Sequence, residues 1–368
     1  MLLHLSALYL AFPVGTFAAQ SPAQTWRVLD RPLLSIGSQN EEGPQSFGAI
    51  TGATRLGSGT IVVADGKSLE LRLFSQSGVP LKVIGRKGDG PGEFRSMAPI
   101  QRCAGDSVLV YDPVEFRISV FSPVGEFVRM GDLREWSANG LPPYEFACGR
   151  TGVLAFLHRS DAPPPRAGPM RSEVELSLVV RGGSVVSLGS FPASEQYYRP
   201  PGLGPRHLGK KTSIAVGSRS VYVGTADAFE IGEFSLGGER VATIREQRSP
   251  VEVRDAQVNA YIQEYLAARP RRASAQAITA AFRQLEWPKH YAAYGRLIVD
   301  SEDNLWVEEY PIPGKDVRDW TVYGGGRRLA LVRLPARFRL LEVGTDYVLG
   351  VWQDDLDVDY LRVYPLRK

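Results

Sequence analysis

Apolar and polar residues alternate along most of the chain in runs of four to eight, and clusters of Gly, Asp, Asn and Ser separate the runs. A period of two bounded by turn residues predicts short β-strands. Two stretches show the pattern twice in the same register, GTIVVADGKSLELRLFSQSGVPLKVIG (59–85) and DSVLVYDPVEFRISVFSPVGEFVRMG (106–131). Asp65 matches Asp112, Leu71 matches Ile118, and Phe74, Ser75 and Gly78 match Phe121, Ser122 and Gly125, all at an offset of 47. Upstream, Ile36-Gly37 … Phe47 parallels Ile84-Gly85 … Phe94 with one residue of slippage.

A fixed period of this size is the mark of a repeat architecture. Weaker copies occupy 152–192, with a Pro-rich insertion, 220–244, 304–335 and 338–366. The last shows three strands rather than four, and residues 26–36 (WRVLDRPLLSI) form a strand without a local partner. Pairing the two would close a ring and remove sheet edges. The expected fold is therefore all-β, a six-bladed β-propeller whose N-terminal strand completes the last blade. Helical patterns do not alternate with the strands, which disfavours a barrel of the βα type.

Residues 252–286 break the alternation. Asp255 is placed to cap a helix carrying Val258, Tyr261, Ile262 and Tyr265, and Ser274 to cap a second carrying Ile278, Ala281, Phe282 and Leu285. Pro270 ends the first. This is a helical hairpin inserted between the fourth and fifth units. Its link, Arg269-Pro270-Arg271-Arg272, reads as a solvated turn or as a contact for an anionic surface.

The remaining composition refines the picture. The chain has 368 residues, with 38 Gly and 26 Pro, a content that turn-rich β structure explains. Lys and Arg number 43 against 40 Asp and Glu, a net charge of +3 that gives no support to a nucleic-acid binder. Residues 1–23 carry no Lys, Arg, Asp or Glu, and 1–19 form an apolar run ending in small residues. The run is short for a membrane span and is interrupted by Pro13 and Gly15, so it reads as a signal peptide cleaved after Ala18 or Ala23, the mature domain being 24–368. The alternative is a retained anchor helix. Because the n-region has only His4, either the leader is atypical or translation starts upstream of Met1. No membrane span is expected in the mature chain, which would be periplasmic or secreted. Cys103 and Cys148 each end the first strand of consecutive units; they are read as a disulfide between neighbouring inner strands, or else as two buried thiols.

Gly85-Arg86-Lys87-Gly88-Asp89-Gly90-Pro91-Gly92-Glu93-Phe94 resembles the inter-blade loop of NHL-repeat propellers, and residues 297–307 (LIVDSEDNLWV) resemble their strand–turn–strand core. With the Trp320–Tyr323 strand and the C-terminal VLGVWQDDLDVDYLRVYPL, residues 26–366 resemble the exported bacterial six-bladed β-propeller proteins. The family's uninterrupted repeats are broken here in units three and four. The resemblance implies the fold and no particular activity. The GDGPGEF loop is not a phosphate cradle, since Pro99 stands against a following helix and no Lys-Ser/Thr completes the motif.

Candidate chemistry is sparse. His158, His207 and His290 fall in different units without a shared motif. Asp300, Asp303 and Asn304 have the residue types by which gluconolactonase-like propellers hold a divalent cation in the central channel, with Asp300 the metal candidate, although a turn accounts for all three. The acidic run 354–359 lacks the Gly and Glu of a calcium loop and reads as the start of a solvent-facing strand. No nucleophile motif is present, and neither a catalytic nor a cofactor-binding residue is assigned. The expectation is a non-catalytic exported propeller that binds protein, peptide or glycan. The alternative is a propeller hydrolase or lyase with a divalent metal in the channel.

Overall fold

The computed structural model describes residues 24–39, 42–136, 143, 145–159, 166–180, 183–200, 202–268 and 274–368. The expected leader at 1–23, residues 160–165 of the Pro-rich insertion and the basic link 269–272 lie outside the described residues.

The described chain is mostly β, with many antiparallel sheets and two α-helices, in a propeller-like arrangement. The first sheet comprises Ile50–Arg55, Ile61–Asp65, Glu70–Phe74 and Pro80–Ile84. The second comprises Gln101–Arg102, Val108–Asp112, Arg117–Phe121 and Phe127–Asp132. The third is Glu145–Cys148, Leu154–Arg159, Glu173–Val179 and Val185–Pro192; the fourth is Ser213–Val216, Ser220–Gly224, Glu230–Ser235 and Arg240–Arg245. The fifth holds Leu297–Val299, Leu305–Glu308, Val317–Gly324 and Arg327–Pro335, and the sixth Phe338–Val343, Tyr347–Gln353 and Asp359–Arg367. Within each, successive strands pair antiparallel.

Burial follows from the stacking. Every residue of Ile61–Asp65 and Val108–Asp112 is buried, because the middle of a sheet is covered on both faces by its neighbours, while the fourth strands Pro80–Ile84 and Phe127–Asp132 are largely exposed. The hydrophobic clusters accordingly lie between sheets. Ile61, Val63 and Phe74 pack with Leu349, Val351 and Leu361 of the sixth sheet, and Val62, Leu71 and Phe94 pack with Val108, Val110 and Phe121.

The 47-residue repeat marks a structural device. Asp65 accepts hydrogen bonds from the backbone N–H of Gly48 (3.0 Å), Ala49 (3.1 Å) and Lys67 (3.1 Å). Asp112 accepts from those of Arg95 (2.7 Å), Val114 (3.0 Å) and Glu115 (3.3 Å). Each carboxylate faces a buried arginine, Arg72 at 3.2 Å and Arg117 at 4.0 Å, whose other N–H groups donate to carbonyls of the preceding loop. Fixing the carboxylate on backbone donors anchors the loop that leads to each new first strand. The GDGPGEF loop is thus a turn held by Glu93, which accepts from Gly90 N–H (2.9 Å), and by Arg117. Gly92 takes a positive φ of 74° there, a backbone region that glycine enters freely.

Three segments differ from expectation. The N-terminal strand is three short pieces. Arg27–Val28 and Leu34–Ile36 pair antiparallel with Asp359–Arg367, completing the sixth sheet as expected, but Gln24–Thr25 pairs in parallel with Ala330 and Leu331 of the fifth. The N-terminal segment therefore joins two sheets, with Trp26 buried against Trp306 between them. Asp255 is the first residue of helix Asp255–Ala267 rather than its cap; Arg254 occupies the N-cap and makes no side-chain capping bond, and an acid in the first turn still suits the helix dipole. Ser274 does cap helix Ala275–Arg283, accepting from Ala277 N–H. The acidic run is a turn, not the start of a solvent-facing strand. Asp354 accepts from Leu356 and Val358 N–H (both 2.9 Å), and the strand begins at Asp359, whose half-buried carboxylate accepts from Ile50 N–H (2.9 Å).

Sequence alone did not disclose a small three-stranded sheet, Gly168–Met170, Gln196–Arg199 and Gly202–Pro205. It meets the helical hairpin. Arg199 donates to Gln284 (3.2 Å), and His207, just beyond the sheet, bonds Tyr261 (2.8 Å) among the rings of Tyr265, Phe282 and Trp287. Glu264 accepts from Gly314 N–H (2.7 Å), tying the first helix to the fifth sheet. Among the described residues no helix is long and apolar enough to cross a membrane.

Candidate functional site: the central cavity

The first strand of each of the six large sheets lines one central cavity of about 420 Å³. Ile50–Arg55 touches Phe338–Val343, which touches Leu297–Val299, then Ser213–Val216, Glu145–Cys148 and Gln101–Arg102 in turn. Gly52 completes the circuit. A Cβ there would stand 2.8 Å from the Ile100 nitrogen, so only glycine permits that approach. Neighbouring first strands share no ladder, and arginines supply part of what is missing. Arg296 Nη1 donates to Leu340 O (3.1 Å), Arg339 Nη2 to Ile50 O (2.5 Å) and Arg102 Nη1 to Arg55 O (2.7 Å), each bridging one sheet to the next.

The strands all run the same way, so the cavity has two distinct mouths. At the ends of the strands the polar groups are mutually satisfied. Glu342 accepts from Thr54 Oγ1, Arg55 N–H (3.3 Å) and Tyr347 OH (2.6 Å); burial and the Glu342 charge push the Tyr347 phenol up. Arg102 pairs with Asp106 (2.5 Å). Asp303 accepts from Ser218 N–H (2.7 Å) and Ser218 Oγ, linking the fourth and fifth sheets. Asp300 is buried and accepts from Glu302 N–H (2.9 Å), Asn304 N–H (2.9 Å), Asn304 Nδ2 (3.0 Å) and Trp306 Nε1 (3.0 Å). Asp300, Asp303 and Asn304 thus sit together on one turn, and four donors occupy the Asp300 carboxylate.

The other mouth lies where the strands begin; in chain order the helical hairpin and the small sheet precede the first strands of the fifth and fourth sheets. Here the charges are uneven. Arg296 (3.0 Å) and Arg318 (3.4 Å) share the buried carboxylate of Glu308. Arg339 makes its one bond to Ile50 O and has no carboxylate within ion-pair distance among the described residues. Confinement by protein lowers its pKa; Asp359 opposes that shift and the Arg296 charge adds to it. Asp359 is itself held up by burial, which outweighs the Ile50 N–H bond and the Arg339 charge. Across the ring, three sheets away in either direction, Glu145 opens the first strand of the third sheet. It has neither hydrogen bond nor ion pair among the described residues. It reaches water through the cavity but is enclosed by protein, and this pushes its pKa up, with the Lys211 charge pulling the other way.

Cys103 and Cys148 form a disulfide with Cα atoms 5.5 Å apart, joining the second and third sheets beside the cavity. The histidines are not brought together. His158 is buried in the second strand of the third sheet, His207 lies in the aromatic junction, and His290 bridges Glu252 at the base of the hairpin. Among the described residues no three His, Cys, Asp or Glu side chains are grouped to hold a metal ion. Sequence reading missed Glu145, Arg296 and Arg339. The available signal was a charged residue at or next to the start of three short, mostly apolar first strands.

No protein-family model and no curated protein matches the chain. Solved structures do. A member of the DUF4221 family from Bacteroides vulgatus superposes with a TM-score of 0.53 at 10% identity, covering 94% of this chain and all of that one. Virginiamycin B lyase from Staphylococcus aureus (TM-score 0.43, 10% identity, 93% and 99% covered) and the calcium-binding protein regucalcin from Agrobacterium tumefaciens (0.43, 12%, 94% and 97%) are more remote. The first of these shows that the fold recurs; at 10% identity it shows nothing further.

Proposed function

We propose that this chain is an exported six-bladed β-propeller, residues 24–368 following a leader at 1–23, and that it is a binding module whose ligand enters the central cavity at the mouth where the first strands begin. The six large sheets are the six blades. The disulfide supports an oxidising destination, periplasmic or extracellular. The observation that carries the binding reading is the pair of unneutralised groups, Glu145 and Arg339, facing one cavity. Both side chains are exposed to the cavity, and charged groups that line a concave site without a protein partner are placed to meet a ligand. Proteins, peptides and glycans all present groups able to meet such a mouth.

The test is a thermal-shift screen of the purified protein against peptides, glycans and small organic acids, with NMR following the ligand. The expected result is stoichiometric binding without consumption, lost in Arg339→Met at unchanged far-UV CD. Turnover of a screened compound, with a stoichiometric divalent metal in elemental analysis, would replace this reading with the hydrolase or lyase one, for which Asp300 is the candidate ligand.

A further inference from the structure

The two unneutralised charges differ in sign and stand on opposite walls. Arg339 belongs to the sixth sheet and Glu145 to the third, both at the mouth where the first strands begin. The Arg339 wall carries surplus positive charge, since Arg296 and Arg318 share one carboxylate. Arg339 spends one Nη2 proton on Ile50 O, which leaves its other guanidinium N–H groups to receive a carboxylate. The opposite wall offers a lone carboxyl, with exposed Lys211 near it but outside ion-pair distance. Thr51, Gln101 and Ser213 supply polar surface between them.

Two opposite charges in one cavity would neutralise each other if they met, yet neither reaches the other or any other ion-pair partner among the described residues. A ligand with an anionic end and a cationic end would complete both. We infer that the cavity takes a small zwitterion, a free amino acid or short peptide, with its carboxylate on Arg339 and its ammonium on Glu145. A volume of about 420 Å³ lies toward the small end of ligand pockets and suits that size. The inference rests on the cavity being the binding site, as proposed above. The groups facing Glu145 and Arg339 also set a proton linkage. Confinement favours the neutral Glu145 acid, Lys211 favours its anion, and an arriving ammonium would favour the anion further, so binding releases a proton at mildly acidic pH. Asp359 and Arg296 act on Arg339 in opposing directions, and neither they nor the ligand deprotonate it.

The test is calorimetric titration of the full chain with alanine oligomers of one to four residues, each free, N-acetylated and C-amidated, in buffers of differing ionisation enthalpy. Succinate serves as a plain anion. The expected result is that at least one free oligomer binds, that capping either end weakens it tenfold or more, and that a fraction of a proton up to one is released per ligand. Glu145→Gln should abolish the release and make the acetylated and free peptides equivalent; Arg339→Met should do the same for amidated and free. Capped peptides binding as well as free ones would overturn the zwitterion. Succinate binding that depends on Arg339, with no gain for zwitterions, would overturn it too while leaving the cavity as the site. No binding by any probe would remove both.

Discussion

Asp65 and Asp112 do the same work in adjacent sheets, whereas the junction of His207 with helix Asp255–Ala267 has no counterpart elsewhere among the described residues. In the first two sheets a short side chain caps backbone donors within its own turn and loop, and a buried arginine locks it. Nearly everything needed lies within one repeat, so the arrangement can be copied 47 residues on. Under the hairpin, stability comes from rings brought together from 207, 261, 265, 282 and 287, and no short segment contains the instruction. The regular part holds the ring together, and the irregular part joins the hairpin to the small sheet.

Substitutions in each part sharpen that contrast. The largest effect is expected at Asp65→Ala, which orphans three backbone N–H groups and leaves the buried Arg72 with Glu70 as its one carboxylate; about 3–5 kcal/mol of global stability should be lost, read by chemical denaturation. Phe282→Ala should cost about 3 kcal/mol, but locally. Amide exchange should speed up across 255–283 and stay unchanged in 50–84; a uniform increase would mean that the hairpin is part of the same cooperative unit. The smallest effect belongs to Ser274→Ala, about 1 kcal/mol from one lost cap, again confined to the second helix.

The same contrast explains what could be read from sequence. The apolar run at 61–64, the alternation at 69–73, and the Phe-Ser-x-x-Gly turns ending at Gly78 and Gly125 reflect local backbone chemistry and survive in any context; both glycines take positive φ, 83° and 73°. Ser274 was legible because capping is local. The small sheet at 168–205 was not, because its strands are short, rich in Gly and Pro, and separated by a strand pair of the third sheet. Asp359 was misread because alternation cannot show that a neighbouring sheet will cover a carboxylate and offer it Ile50 N–H. The candidate site was the least legible part. Glu145 and Arg339 lie far apart in sequence and acquire meaning only when the ring sets them across a common cavity. The cysteines were the exception, since equivalent places in consecutive units predict proximity.

The N-terminal clasp bears on how the protein is made. Ser35 pairs with Arg362 and Gln24 with Ala330, so the earliest part of the folded chain to leave the ribosome waits for nearly the last before it finds a partner. Such long-range closure is slow, and until it happens strand Asp359–Arg367 presents an open edge. If residues 1–23 are the leader, the clasp is also the segment held next to the export machinery, unable to dock while the leader is engaged. The ring would then stay open during translocation and shut only on the far side, which makes assembly of the cavity an event of the destination compartment rather than of the cytoplasm.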